Sequence, residues 1–192
     1  MKVKKAITQV VFGCAFALLL SCTSVSNKKV EQFAIKLTED FINRDSISLY
    51  NKQIDGEIAG EWGLLFYYGN ADVQEMKTPK ELIELSKQRR LESKKDELRR
   101  LSNLVNGFNN SFDSKIISIS TDTLDISEGM EVTNLLNRRK KKQFKSYQVR
   151  QVITTEKGDI TYFRPGLIIQ LGNNLYYWGN GVKISDEKFY RR

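Results

Sequence analysis

The chain has 192 residues, two cysteines, no histidine and a formal net charge of +8. Without histidine it cannot form a Ser-His-Asp triad, a Cys-His dyad or a histidine-ligated zinc site. The length suits one ordinary domain that is large enough to bury a hydrophobic core.

The first 20 residues have the layout of an export signal. Lys2, Lys4 and Lys5 precede an apolar-rich stretch at residues 6–20. This stretch is shorter than the roughly 20 apolar residues that a membrane-spanning helix needs. A cleaved signal peptide is therefore predicted, and an uncleaved anchor helix is the alternative.

The end of this stretch, Leu19-Leu20-Ser21-Cys22, resembles the lipobox of bacterial lipoproteins, in which an aliphatic, a variable and a small residue precede a cysteine. The resemblance implies cleavage before Cys22 and a lipid on that cysteine. It divides the chain into a signal peptide at residues 1–21, a lipidated tether at residues 22–29 and one domain at residues 30–192. A plain signal peptide that is cleaved elsewhere is the alternative. Thr23, rather than aspartate, after the cysteine suggests the outer membrane, with the domain on the periplasmic side.

The domain is predicted to begin with two helices. Apolar residues recur every three or four positions from Val30 to Phe41, which indicates one buried helical face. Asp45 is placed to cap a short second helix. The Asp55-Gly56 pair is predicted to end that helix.

A long third helix has the clearest signal in the chain. Thr78, Pro79 and Glu81 combine a capping threonine, a proline at the first helical position and a glutamate at the third. The helix is predicted over residues 79–106, with Gly107 as its stop. Residues 86–100 are almost all charged, so only the two ends of the helix are expected to pack well.

The remaining segments are predicted to be mainly strands. Lys157-Gly158 indicates a tight turn, Pro165 an edge position or a bulge, and Gly172-Asn173-Asn174 a three-residue hairpin loop. The run at residues 62–68 is short, apolar and aromatic, which suits a buried strand, although periodicity alone does not exclude a helix. The predicted strands are residues 62–68, 116–120, 147–156, 159–163, 167–171 and 175–178.

These elements predict an α+β domain, with N-terminal helices, including one long capped helix, packed on a curved C-terminal antiparallel sheet. Their order over residues 30–180 is similar to the nuclear transport factor 2-like cone fold, in which a curved sheet wraps around a long helix. The resemblance carries over no catalytic residue, because the Asp–His pairs of that family's enzymes would lack their histidine here. Many non-enzymatic members are ligand-binding or dimerising modules.

The most conspicuous charge run is Arg138, Arg139, Lys140, Lys141 and Lys142. Near a bilayer these cations could bind lipid phosphates, at about 1 kcal/mol for each residue. They could also bind an acidic partner. The alternative is a solvated loop, which is the usual state of such runs. Nucleic acid is not an expected partner of an exported protein.

A set of aromatic residues is a second candidate site. They could line an apolar pocket or a contact surface, but the same strand-like spacing is what a core requires. Alternation places Tyr177 on one face of its strand and Tyr176 and Trp178 on the other, so one face could be core and the other a contact surface. The candidates are Trp62, Tyr162, Tyr176, Tyr177 and Trp178.

The acidic residues Asp122, Asp125, Glu128 and Glu131 lack the glycine and the spacing of an EF-hand loop, so an ordinary acidic loop is favoured over a calcium site. No metal, cofactor or catalytic residue is predicted. The favoured function is a non-catalytic binding or scaffolding module in the cell envelope, with an envelope protein, a second copy of the chain or an apolar ligand as partner. The alternative is a carboxylate-dependent envelope enzyme, such as a glycan hydrolase with two acids about 5–5.5 Å or about 6.5–9.5 Å apart, depending on its mechanism.

Overall fold

The computed structural model describes residues 25–64 and 78–186. Helices packed against a C-terminal antiparallel sheet confirm the predicted α+β class. The signal peptide, Cys22 and residues 187–192 lie outside the described residues. The elements are α1 (Asn27–Ile42), α2 (Ser46–Asn51), α3 (Gly56–Glu61), α4 (Pro79–Asn109), β1 (Ile116–Ile126), β2 (Met130–Thr133), β3 (Lys141–Thr155), β4 (Ile160–Arg164), β5 (Leu167–Leu171), β6 (Asn174–Trp178) and β7 (Lys183–Ser185).

The packed structure begins before residue 30. The Ser26 side chain caps α1 by accepting a hydrogen bond from the Lys29 N–H at 3.3 Å. Val25 is only 9% exposed and belongs to the hydrophobic core. Residues 27–29, which were expected in the tether, therefore form the first turn of α1.

The two aspartates that flank α2 both act as helix caps. Asp45 Oδ1 accepts a hydrogen bond from the Ser48 N–H at 2.8 Å, which confirms the predicted second helix. Asp55 does not simply end that helix, as predicted, because its carboxylate accepts hydrogen bonds from the Glu57 and Ile58 N–H groups and starts α3. An aspartate carboxylate can accept backbone hydrogen bonds either in a turn or at the start of a new helix. An Asp-Gly pair therefore does not by itself distinguish the two structures.

The helix α4 has the predicted start and a later end. The Thr78 hydroxyl accepts a hydrogen bond from the Glu81 N–H and donates one to the Glu81 carboxylate. The prediction that Gly107 stops the helix is wrong, because α4 continues through it to Asn109 and buries Phe108 in the core. Residues 91–96 are all exposed, so the middle of α4 lies on the surface as expected. None of the described helices is long and apolar enough to cross a membrane.

The strand β3 is the centre of the sheet. One of its edges pairs with β1 and β2, and the other edge pairs with β4 and β5. The strand β6 pairs with β5, and β7 pairs with β4. All of these pairings are antiparallel, and register shifts mark two irregularities within β1. Such bulges bend a strand and increase its twist.

Four strand predictions need correction. The strand β1 continues past residue 120 to Ile126. The strand β3 begins at Lys141 rather than at residue 147. Leu171 pairs with Asn174, so the β5–β6 loop has two residues, Gly172 and Asn173, and Gly172 supplies the positive φ of 63° that such a tight turn requires. Residues 62–64 lie in a turn that follows α3 rather than in a strand, and residues 65–68 are outside the described residues.

Buried side chains cover both faces of the sheet. On the first face, α1 and the C-terminal part of α4 pack on β3, β4 and β6. Phe163 is central here, with its ring centroid 5.2 Å from that of Phe41 and 4.5 Å from that of Phe108. On the second face, α3 and Trp62 pack on the β3–β5 region in a separate cluster that includes Phe144 and Leu171.

The helix α4 contributes to the packing at both of its ends. Its first turns lie against α3, where Ile83 and Ser86 are buried next to Gly60. Its last turns enter the first core through Leu101, Val105 and Phe108. The exposed middle therefore connects two buried ends, which explains the charged sequence between them.

Candidate functional site at the basic end of the sheet

Three segments that are distant in sequence meet at one end of the sheet. The Lys29 Nζ atom in the first turn of α1 donates a hydrogen bond to the Asn173 backbone oxygen at 2.9 Å. On the other side of the same hairpin, the Gly172 N–H donates to the Gln143 backbone oxygen in β3 at 2.8 Å. We define the basic end as the first half of α1, the β5–β6 hairpin loop, and residues 138–142 of the β2–β3 loop and early β3.

A groove of about 460 Å³ lies between α1 and the hairpin, and we call it the α1 groove. Lys29, Gln32 and Lys36 lie on the helix side, and Asn173 and Asn174 lie on the hairpin side. Phe33, Leu175 and Tyr176 add aromatic and aliphatic surface. The groove therefore combines ammonium and amide hydrogen-bond donors with apolar contacts, which is the usual composition of a binding site for a polar or amphiphilic ligand.

A second groove of about 400 Å³ lies on the opposite side of the hairpin, and we call it the β3 groove. Asn173 lines both grooves, so they are neighbours. Lys141 lines the second groove and forms an ion pair with Glu131, with 2.7 Å between Nζ and Oε1. Lys142 also lines it and places Nζ 4.4 Å from the centroid of the Trp62 ring, which is a cation–π distance.

The predicted basic run is divided between two environments. Arg138, Arg139 and Lys140 are exposed in the loop before β3, whereas Lys141 and Lys142 belong to the strand and have the partners described above. Asn134 shapes this loop, because its Oδ1 atom accepts hydrogen bonds from two following backbone N–H groups. The three loop cations are thus presented to solvent by an ordered turn.

The five aromatic candidates do not form one pocket. Tyr177 is fully buried in the first core, its hydroxyl donates to the Pro165 oxygen at 2.9 Å, and burial raises the pKa of that hydroxyl. Tyr176 and Trp178 pack half-buried on the second face, near the buried Trp62. Tyr162 lies away from both, on β4, where the Arg150 guanidinium is 6.0 Å from its ring. The predicted alternation is therefore correct, but both faces are mainly packing surfaces.

The acidic stretch is not the loop that the sequence favoured, because Asp122 and Asp125 lie in β1 and Glu131 lies in β2. Neighbouring cations partly neutralise it. Asp122 pairs with Arg150 at 2.5 Å between Oδ2 and Nε, and Glu131 pairs with Lys141. Within residues 25–64 and 78–186, no group of three or more histidine, cysteine, aspartate or glutamate residues is arranged to hold a metal ion.

A polar network that reaches the end of β6 remote from the hairpin loop attaches α4 to the rest of the fold. The Arg90 guanidinium lies 3.8 Å from the Tyr50 ring centroid and donates a hydrogen bond to Gln53, which in turn donates to Glu97. Burial opposes the ionisation of Glu97, but hydrogen bonds from Arg100 and Gln53 outweigh it, so the Glu97 pKa is lowered. Arg100 also donates to the Gly179 oxygen. These contacts fix the position of α4 beside β6.

The α1 part of the basic end was not among the sites predicted from the sequence. Lys29, Gln32 and Lys36 recur at helical spacing on the side of α1 that faces the hairpin. That spacing could have suggested a shared face, but only the fold shows that the face meets Asn173.

Comparison of the chain with protein-family models, with curated proteins and with solved structures finds no match. The resemblances to a lipobox and to the nuclear transport factor 2-like fold therefore stay predictions from the sequence. The function must be argued from the residues themselves.

Proposed function

We propose that this chain is a lipid-anchored, non-catalytic binding or scaffolding module on the extracytoplasmic side of a bacterial envelope. The anchor would be Cys22, at the end of the lipobox-like sequence. The observation that carries the proposal is that Val25, the first described residue, is already packed in the core, close in sequence to Cys22 and to the basic end. The proposed location is the outer membrane, on its periplasmic side.

The lining of the two grooves supports binding rather than catalysis. Lysines, amides and aromatic rings dominate it, and these groups hold a ligand by charge, hydrogen bonds and stacking. A glycan hydrolase needs two facing carboxyl groups. Glu131 is the one carboxylate among the described lining residues of the two grooves, and it is paired with Lys141. The arrangement does not favour the hydrolase alternative.

The proposed partner beyond the membrane is another envelope component, with a second copy of the chain as the alternative. Both would have to reach the domain at the membrane surface, because only Thr23 and Ser24 separate Cys22 from the packed residue Val25. Three residues extend the backbone by at most about 11 Å. A tether of this length favours partners that share the same membrane.

The decisive experiment is mass spectrometry of the membrane-extracted protein after expression in a lipoprotein-processing bacterium. We expect a diacylglyceryl-modified peptide that begins at Cys22. Cys22→Ala should abolish both the modification and the processing. Cys14→Ala is the matched control and should change neither, because Cys14 lies within the predicted signal peptide. An unmodified Cys22 in the mature protein would disprove the anchor.

A further inference from the structure

The first packed residues that the structure describes and the exposed cations of the β2–β3 loop lie at the same end of the domain. Lys28 and Lys29 lie two and three residues after the capping residue Ser26, and Lys29 contacts the β5–β6 hairpin. The hairpin in turn contacts early β3, which follows the loop that presents Arg138, Arg139 and Lys140. The point at which an anchor before Val25 joins the domain is therefore close to these cations.

We propose that the basic end docks directly on anionic lipid headgroups of the membrane in which the chain is anchored. This inference depends on the proposed function in one respect only, namely that Cys22 carries the lipid anchor. The docking surface consists of the exposed loop cations Arg138, Arg139 and Lys140 together with Lys28 and the two lysines of the α1 groove.

The charges of this surface are available for binding. Among the described residues, ion pairs occupy Lys141 but not the three loop cations. The Lys29 ammonium has three N–H donors, and the hydrogen bond to Asn173 uses one of them. The other two, together with Lys36 and the amide groups of the α1 groove, can bind the oxygens of a headgroup phosphate.

The short tether strengthens the docking. A reach of about 11 Å from Cys22 to Val25 holds the basic end close to the range over which charges interact at physiological salt, a Debye length of about 8 Å. Each cation at an anionic surface then adds to the affinity. The anchor already holds the domain at the membrane, so docking loses little further translational entropy. The basic end is thus expected to face the bilayer.

The opposite end of the sheet lacks this excess of positive charge. At the β3–β4 turn, Lys157 lies between the exposed acids Glu156 and Asp159, and Glu156 also forms an ion pair with Lys115 at 3.7 Å. The charge distribution therefore defines an orientation. The turn at residues 157–158 should point away from the membrane.

The test uses the chain without residues 1–22, which removes the anchor and both cysteines but none of the packed residues from Val25 onward. Co-sedimentation compares vesicles of phosphatidylcholine mixed with phosphatidylglycerol against vesicles of phosphatidylcholine alone. We expect binding to the anionic vesicles only. It should weaken as salt rises, because the Debye length falls to about 3 Å at 1 M salt.

The triple variant Arg138→Gln, Arg139→Gln and Lys140→Gln should reduce this binding about fivefold for each cation, or about 100-fold in total. The matched control removes three cations from the exposed middle of α4, as Lys94→Gln, Lys95→Gln and Arg99→Gln. It should bind like the wild type. An equal loss in both variants would mean a general charge effect and would overturn a specific docking end.

Orientation has a separate readout. A fluorophore on Asn173→Cys, the single cysteine of that chain, should be quenched by a quencher in the lipid, whereas one on Lys157→Cys should not. Equal quenching at both sites would refute the proposed orientation.

If the protein does not bind anionic vesicles even at low salt, docking on lipid is wrong, and it is wrong whether or not Cys22 carries a lipid. If the basic end binds an acidic envelope protein but not anionic vesicles, docking on lipid is also wrong.

Discussion

The contact between α3 and α4 leads to a prediction in which the same substitution has opposite effects at two sites. An alanine Cβ at Gly60 would lie 2.7 Å from the Ile83 Cα atom and 3.2 Å from the Ser86 Cβ atom. An alanine Cβ at Gly107, inside α4, would meet no atom within 4 Å. Gly60→Ala and Gly107→Ala therefore share their chemistry and differ in their surroundings.

The expected magnitudes follow from these distances. In a helix, replacing glycine by alanine favours the folded state by about 0.5–1 kcal/mol, because the unfolded chain loses freedom. At Gly107 nothing opposes this gain. At Gly60 the helices would have to separate by about 1 Å to restore ordinary carbon–carbon contact, and overpacking of this kind costs about 1–3 kcal/mol. Gly60→Ala should therefore destabilise the domain by up to about 2.5 kcal/mol overall, with a central value of about 1 kcal/mol.

Urea unfolding of the chain without residues 1–22, followed by far-ultraviolet circular dichroism, measures both variants. Relative to the wild type, the free energy of unfolding should rise for Gly107→Ala and fall for Gly60→Ala. A change of 1 kcal/mol corresponds to a Tm shift of about 2–4 °C for a domain of this size. The unfolding slope should stay constant, since neither change alters the surface that is exposed on unfolding.

Two results would contradict this reasoning. If Gly60→Ala is as stable as the wild type, α3 and α4 are not packed closely at this residue. If Gly107→Ala destabilises the domain, Gly107 ends the helix as the sequence predicted, and Phe108 is not held in the core by a continuous α4.

Two further predictions concern α4 and the core. Thr78→Ala should lower the free energy of unfolding by about 1 kcal/mol in the same urea assay, because the Glu81 N–H loses its hydrogen-bond acceptor; no change would mean that the cap is not formed. Burial raises the pKa of Tyr177, whereas a tyrosine in the unfolded chain has a pKa of about 10. As the pH rises above about 10, the unfolded state loses this proton before the folded state does, so the free energy of unfolding should fall. Tyr177→Phe should remove this part of the pH dependence and should cost about 1–3 kcal/mol at neutral pH, because the Pro165 oxygen loses its buried donor; an unchanged alkaline slope would argue against the burial of Tyr177.

The parts of the fold that depend on neighbouring residues were predictable from the sequence. The caps at Asp45 and Thr78 each require one side chain and one backbone group within three residues, and both are present. The alternation of Tyr176, Tyr177 and Trp178 follows from strand geometry alone. Local rules suffice where both partners of an interaction are close in sequence.

The predictions that failed were those that tertiary packing decides. Gly107 is compatible with a helix end, but burying Phe108 favours continuation. Asp55 could end one helix or start the next, and the packing of α3 against α4 favours the start. The basic end could not be predicted either, because Lys29 and Asn173 are 144 residues apart and the resemblance to known folds did not fix their contact.

The helix α1 is far in sequence from several residues that bury it, and this sequence separation affects when the chain can fold during synthesis. Thr38 in α1 meets Gln151 113 residues later, and Phe41 packs on Phe163. Although Phe108 in α4 also packs on Phe41, the burial of the apolar face of α1 is not complete until β3 and β4 have been made, and contacts of such long range form slowly. A polypeptide with this order of assembly cannot complete its first core while most of it is still being synthesised. Under the proposed export, this delay would help the unfolded chain to pass a narrow secretion channel, and folding would follow on the far side.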